Sequence, residues 1–220
     1  MSMTRALVII TVAAALIATA AMVLFARPVD SGAMALAPDP NMDLLSIPEF
    51  EVTTQDGETY TRDELLGQLT ILDFFFTHCP FICPPMSQNM LRAQRALANT
   101  DVQFLSISVD PEHDTPERLK EYAREIGADT STWTFTTTDR ETVNRILRDG
   151  LLLASSQPNP EQVINLPSGT TMSNITHPSH FILVGPDGDI LSLTNGLNRA
   201  EVDVLIDRAR QASTALTSRR

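Results

Sequence analysis

The segment "LTILDFFF", residues 69–76, limits the fold more than any other part of the chain. It is a short, mostly apolar run that opens directly into a loop studded with prolines. A strand of this kind is buried on both faces, which requires a largely parallel sheet covered by helices on each side. The expectation is therefore an α/β sandwich closed by an antiparallel hairpin.

The rest of the chain supplies matching parts. "FEVTT", "QDG" and "ETYT" predict a hairpin around Asp56-Gly57, followed by a helical turn over residues 62–66. Residues 84–98 have helical periodicity, with Met86, Met90, Leu91 and Leu97 apolar. Then come a strand "VQFLSISV", a helix opened by Thr115-Pro116 and ended by Gly127, a strand "WTFTTT", and a helix capped by Asp139 that runs to about Arg148. "SHFILVG" and "ILSLTN", joined by the turn "PDGD", precede a last helix over residues 199–216. A βαβαβ half followed by a ββα half is a thioredoxin-like order. Residues 150–176 are too long for a simple connection and are expected to form a partly ordered insertion packed beside the site.

The 220-residue chain, 43% hydrophobic, has enough apolar material for one such domain and an appendage. Residues 6–26, "ALVIITVAAALIATAAMVLFA", carry no charge, and at about 1.5 Å per residue they match one bilayer core. They predict an uncleaved N-terminal transmembrane helix, because the run is longer than the apolar region of a secretory signal. The expected organisation is an anchor over residues 1–28, a linker over 29–46 and a thioredoxin-like domain over 47–216, which faces the periplasm from the inner membrane. The formal net charge is −11, and the first 29 residues hold Arg5, Arg27 and no acid, so the domain is more acidic still. That balance makes nucleic acid an unsuitable partner.

The two cysteines of the chain, Cys79 and Cys83, sit in "FFFTHCPFICPPMSQNM", between the buried strand and the helix it feeds. Pro84 and Pro85 suit a first helical turn, where no amide donor is needed. Both thiols would then feel the positive end of the helix dipole, which favours thiolate. Their spacing permits a disulfide or the shared ligation of a soft ion, for which Cu(I) is the natural match.

A third ligand has four histidines to come from. His113, in "DPEHDTP", is expected in a solvated loop. His78 directly precedes Cys79, where chain geometry makes it difficult for both side chains to bind one ion. His180 shares a strand face with Ile182 and Val184. His177 enters the same strand from a loop that faces the thiols and is the best candidate. Met86 and Met90, one helical turn apart, are expected in the core.

"FTHCPFICP", "SVDPEHDTPERL" and "THPSHFILVGPDGDI", in that order behind a single N-terminal anchor, resemble the Sco/SenC proteins. That resemblance implies a thioredoxin-fold copper chaperone that serves cytochrome c oxidase assembly. It implies one copper ion per chain, Cu(I) or Cu(II), held by Cys79, Cys83 and His177, with Asp110 in a supporting role or as a helix cap. The implied partners are the copper-A subunit of the oxidase and other periplasmic copper chaperones or thiol reductants. A second function class uses the same cysteine pair without metal, as a thiol-disulfide oxidoreductase that reduces the acceptor's cysteines. Two departures from the family pattern stand out: Phe81-Ile82 between the cysteines, where an acidic residue is common, and Pro178 after the histidine.

Overall fold

The computed structural model describes Val12, residues 34–42 and residues 44–218. The apolar run expected to span a membrane, residues 6–26, lies outside the described residues except for Val12. Among the described residues no helix is long and apolar enough to cross a membrane.

The described residues form nine strands and four α-helices, and apart from the hairpin of β6 and β7 these follow the expected order. The strands are β1 (Glu51–Thr54), β2 (Thr59–Thr61), β3 (Thr70–Phe75), β4 (Gln103–Ser108), β5 (Trp133–Thr137), β6 (Gln157–Asn165), β7 (Thr171–Thr176), β8 (His180–Val184) and β9 (Ile190–Asn195). The helices are α1 (Cys83–Ala96), α2 (Pro116–Ile126), α3 (Arg140–Arg145, continued by a π turn) and α4 (Arg199–Thr217). Seven strands form one sheet in the order β2-β1-β5-β4-β3-β8-β9. β4 runs parallel to β3 and to β5, while β8 runs antiparallel to β3 and is joined by the hairpin to β9.

The buried segment that limits the fold is β3, near the middle of this sheet. All six of its residues are buried. Burying a large apolar side chain contributes roughly 1.5–3 kcal/mol relative to exposure, so β3 anchors the sheet. An aromatic cluster continues the core: Trp133 stacks on Phe135 at 4.8 Å, and Phe135 meets Phe75 edge-on at 5.7 Å. Trp133 Nε1 donates to Ser106 Oγ at 2.9 Å, so the indole is buried without an orphaned donor.

Local chemistry sets the helix ends. Thr115 accepts from the Arg118 amide and Pro116 begins α2, while Gly127, at φ 76°, ends it in the left-handed region. Asp139 caps α3 and Asn198 caps α4 in the same way. α1 differs, since its N-cap residue Ile82 offers no side-chain acceptor. Asn89 and Arg92 of α1 reach Gly196 O at 2.8 Å and Arg199 O at 3.1 Å, fixing the helix against the C-terminal elements.

Two regions depart from the sequence-based expectation. Residues 34–42 and 44–46, expected as part of a linker, pack onto the domain: Ala35 and Leu45 are buried, and Arg208 donates to Ala35 O at 3.2 Å and to Asp39 Oδ1 at 2.7 Å. Asp39 N also donates to Leu191 O at 2.8 Å. These contacts are made with Leu191 and Arg208, far along the chain, so they leave no periodicity in the segment itself. The insertion after Gly150 is a two-stranded hairpin, β6 with β7. Pro158 and Pro160 interrupt its alternation, and the register shifts between Asn159 and Val163, which hides the strand from pattern reading.

Candidate metal centre

Three elements bring the candidate ligands together. β3 ends at Phe75, the loop 76–82 carries Cys79, and Cys83 is the first residue of α1. His177 lies in the short link between β7, in the small hairpin, and β8, in the main sheet. One ligand atom from each of Cys79, Cys83 and His177 falls within 4.8 Å of the others. Cys83 Sγ is 3.4 Å from His177 Nε2. Both cysteines are buried, and neither is in a disulfide.

The uncapped start of α1 explains the first thiol. Pro84 and Pro85 have no amide hydrogen, and Met86 N donates to Ile82 O at 3.2 Å. The remaining first-turn donor is Cys83 N, which points at Cys79 Sγ at 3.5 Å. The sulfur thus takes the place of a capping side chain. A hydrogen bond from the Cys83 thiol, with the amides of Cys83 and Phe81, pulls the Cys79 thiol down to about 4 against the opposing effect of burial. Burial and the neighbouring Cys79 push the Cys83 thiol well above its ordinary value. The expectation that the dipole favours both thiolates holds for Cys79 alone, because Cys83 is the more deeply buried and donates to its partner.

His177 is oriented from two sides. Its Nδ1 lies 3.1 Å from Pro178 O, a pure acceptor, so Nδ1 carries the proton and Nε2 presents a lone pair to the sulfurs. Phe76 packs against the imidazole edge-on, with ring centroids 5.8 Å apart. Behind the loop, Gly196 N donates to Ser179 O at 2.7 Å. A Cβ on Gly196 would come within 2.9 Å of the Phe181 ring, so this close approach needs glycine.

The other candidates separate cleanly. Met86 and Met90 are core residues, as expected. His180 pairs with Asn195 across β8 and β9, on a strand face with the buried Ile182 and Val184. Asp110 is buried and lies outside the thiol group; α2 is capped by Thr115, so Asp110 is not its cap. Its carboxylate accepts from His113 Nδ1 at 2.9 Å. His113, expected in a solvated loop, is half-buried and tied to that carboxylate.

Two supporting residues escaped the sequence reading. Asp114 is fully buried and accepts from Thr77 Oγ1 at 2.6 Å, from Thr77 N at 3.1 Å and from Ser108 Oγ, which pins the strand end two residues before Cys79. Desolvation pushes its carboxyl up to about 6. Asp73 is buried within β3, where Ser106 Oγ donates to it at 2.5 Å, and desolvation likewise raises it to about 6. The available signals were a charge inside an apolar strand for Asp73 and a second acid four residues after Asp110 for Asp114.

The fold and this donor set can be compared with known proteins. A family model described as SCO1/SenC matches residues 39–211. The chain belongs to the SCO1/SenC family. It is 34% identical over 169 residues to the SCO1 protein homolog of Bacillus subtilis (strain 168), covering 75% of this chain and 81% of that one. Its thioredoxin-like fold is similar to that of BsSco, a member of the Sco family of cytochrome c oxidase assembly proteins with an identified disulfide switch. The TM-score is 0.65 at 31% identity, over 80% of this chain and 97% of that one. Yeast Sco1 with copper bound gives a TM-score of 0.60 at 25% identity, over 76% of this chain and 88% of that one.

Proposed function

We propose that this SCO1/SenC protein is a membrane-tethered metallochaperone that binds one copper ion through Cys79, Cys83 and His177 and delivers it to the copper-A centre during cytochrome c oxidase assembly. The observation that carries the reading is the convergence of two sulfurs and one imidazole nitrogen within 4.8 Å. Thiolates suit Cu(I), and an imidazole added to two thiolates extends the site to Cu(II). Cys79 is held as thiolate before any metal arrives, so metal need not displace a proton from it at neutral pH.

Delivery proceeds by ligand exchange. An acceptor cysteine, as thiolate, takes a place on copper as Cys79 or Cys83 leaves, and the second exchange completes the transfer. In this reading residues 1–28 form the anchor, the domain over 47–216 faces the periplasm, and 29–46 join the two. Asp110 supports the loop that carries the site.

The asymmetry of the two thiols favours a second reading, a thiol-disulfide reductase. Cys79 thiolate attacks an acceptor disulfide, and one acceptor sulfur leaves as thiolate. Cys83, after losing its proton, attacks Cys79 Sγ and releases the second acceptor sulfur. The protein ends with a Cys79–Cys83 disulfide, and the acceptor ends as a dithiol.

His177→Ala separates the readings. The variant should retain Cu(I) on its two sulfurs, lose most Cu(II) binding with the intense sulfur-to-copper absorption, and fail to support oxidase assembly. Near-normal assembly in the His177→Ala strain would select the reductase. His180→Ala is the control and should bind Cu(II) like the parent protein.

A further inference from the structure

A second group of side chains that could hold a metal ion lies next to the thiol centre along the chain. One ligand atom each from His78, Asp110 and Asp114 falls within 4.8 Å of the others, and His113 Nδ1 lies 2.9 Å from Asp110. The His78 and His113 rings meet edge-on, with centroids 5.9 Å apart. Both line an open cleft of about 560 Å³, together with Glu112, Arg118, Glu121 and Glu125 and the tip of the β6–β7 hairpin.

Hydrogen bonding determines what each group offers to that cleft. Thr77 Oγ1 has one proton, and Asp114 Oδ1, at 2.6 Å, takes it. The Arg118 Nε–H donates to the same hydroxyl oxygen at 3.2 Å. His78 Nδ1, at 3.2 Å from this oxygen, must therefore be its second donor. That leaves the lone pair of His78 on Nε2. His113 Nδ1 donates to the Asp110 carboxylate, which leaves its lone pair on Nε2 as well. Neither Nε2 has a hydrogen-bond partner among the described residues.

A carboxylate holding the Nδ1–H of a histidine is the usual support of a metal-ligating imidazole. Asp110 stands in that relation to His113, and Thr77, itself fixed by Asp114, plays the same part for His78. The two aspartates are spent on these bonds and act as orienting groups. Two imidazoles that share an ion at about 2.0–2.1 Å from each nitrogen have ring centroids roughly 5–6 Å apart, in line with the separation observed. The acids that line the cleft are already paired, Glu121 and Glu125 with Arg118 at 3.0 Å, Glu121 also with Arg124 at 3.8 Å and Glu112 with Arg140 at 3.7 Å, so the two imidazoles rather than net charge would hold the ion.

We infer that His78 and His113 form a second metal site, distinct from the thiol centre, for a divalent cation that prefers imidazole nitrogen, with Cu(II) bound most tightly and Zn(II) next. The site has no thiolate and therefore no special affinity for Cu(I). Because His78 is the residue before Cys79, the site lies one residue from the thiol centre along the chain. It stands whether or not the protein delivers copper.

The test removes the thiol centre first. Full-length protein carrying Cys79→Ser, Cys83→Ser and His177→Ala, its fold checked by circular dichroism, is titrated with Cu(II) and followed by electron paramagnetic resonance. It should bind about one equivalent with nitrogen hyperfine structure from two imidazoles. Adding His113→Ala or His78→Ala should remove that signal, and adding Asp110→Asn should weaken binding about 10–100-fold. A second arm uses the protein with its cysteines intact: it should take up about two equivalents of Cu(II), and the His113→Gln variant about one. A triple variant that binds no Cu(II), or a bound ion indifferent to both histidines, overturns the site.

Discussion

Two neighbouring clusters on one loop have opposite chemistry. Cys79 and its partners gather sulfur around the start of α1, whereas His78, one residue earlier, groups with the His113 imidazole and the carboxylates of Asp110 and Asp114. Thr77 and His78 sit in a turn that Cys79 N closes on Phe76 O at 3.3 Å, and this one short loop carries a member of each cluster. Each cluster also stands near a buried carboxylate raised to about 6, Asp73 for the thiols and Asp114 for the imidazoles. Their hydrogen-bond accounts differ. Asp114 has three donors, from Thr77 and Ser108, while Asp73 has the Ser106 hydroxyl. The first is a structural clamp; the second is a buried charge with little compensation.

The largest way to break the comparison is to remove the soft side. Cys79→Ser with Cys83→Ser should abolish Cu(I) binding in a competition titration against a chromophoric chelator. Retention of Cu(I) would mean that the imidazole cluster accepts soft ions.

The next effect concerns the two thiols. With Cys79 at about 4 against an ordinary 9.0, its alkylation rate should stay high as pH falls through 6 and drop only near 4. Cys83 should stay unreactive until well into the alkaline range. Equal pH profiles for the two, read by mass spectrometry of the alkylated peptides, would refute the asymmetry.

A smaller effect distinguishes the carboxylates by pH. Asp73 is raised from 3.8 to about 6, so its contribution to stability is complete below the unfolded value and is lost as pH rises through 6. Asp73→Asn should therefore gain on the parent between pH 4 and pH 8 by up to about 3 kcal/mol in urea unfolding. A difference that does not change with pH would show that the carboxyl is not perturbed.

Removing the clamp should have the smallest of these effects and the opposite sign. Asp114→Ala leaves the half-buried Thr77 and buried Ser108 donors without their acceptor and should cost about 2 kcal/mol. It should also loosen His78 more than Cys79, visible as a larger change in Cu(II) than in Cu(I) affinity. Equal changes in both would make Asp114 a support of the whole loop.

Most of the fold could be read from the sequence because its signals are local. The buried run at β3, the Thr115-Pro116 start and Gly127 stop of α2, and the Asp56-Gly57 turn each lie within a few residues of the structure they set. The grouping of Cys79, Cys83 and His177 was also legible, two from their spacing and the third from its place before β8. His113 was not: flanked by charges and turn residues, it looks solvated until Asp110 is seen beneath it.

The sequence by itself determined the α/β order, the thiol pair at a strand-to-helix junction and the histidine facing it, since strand burial, helix capping and cysteine spacing are written in consecutive residues. Only the tertiary structure decided which thiol is ionised. The two cysteines see the same helix end, and what separates them is depth and the direction of one amide, from Cys83 to Cys79. It likewise decided that residues 34–42 and 44–46 pack on the domain and that His78 and His113 meet beside Asp110, because those contacts join segments whose approach is set by the packing of the sheet.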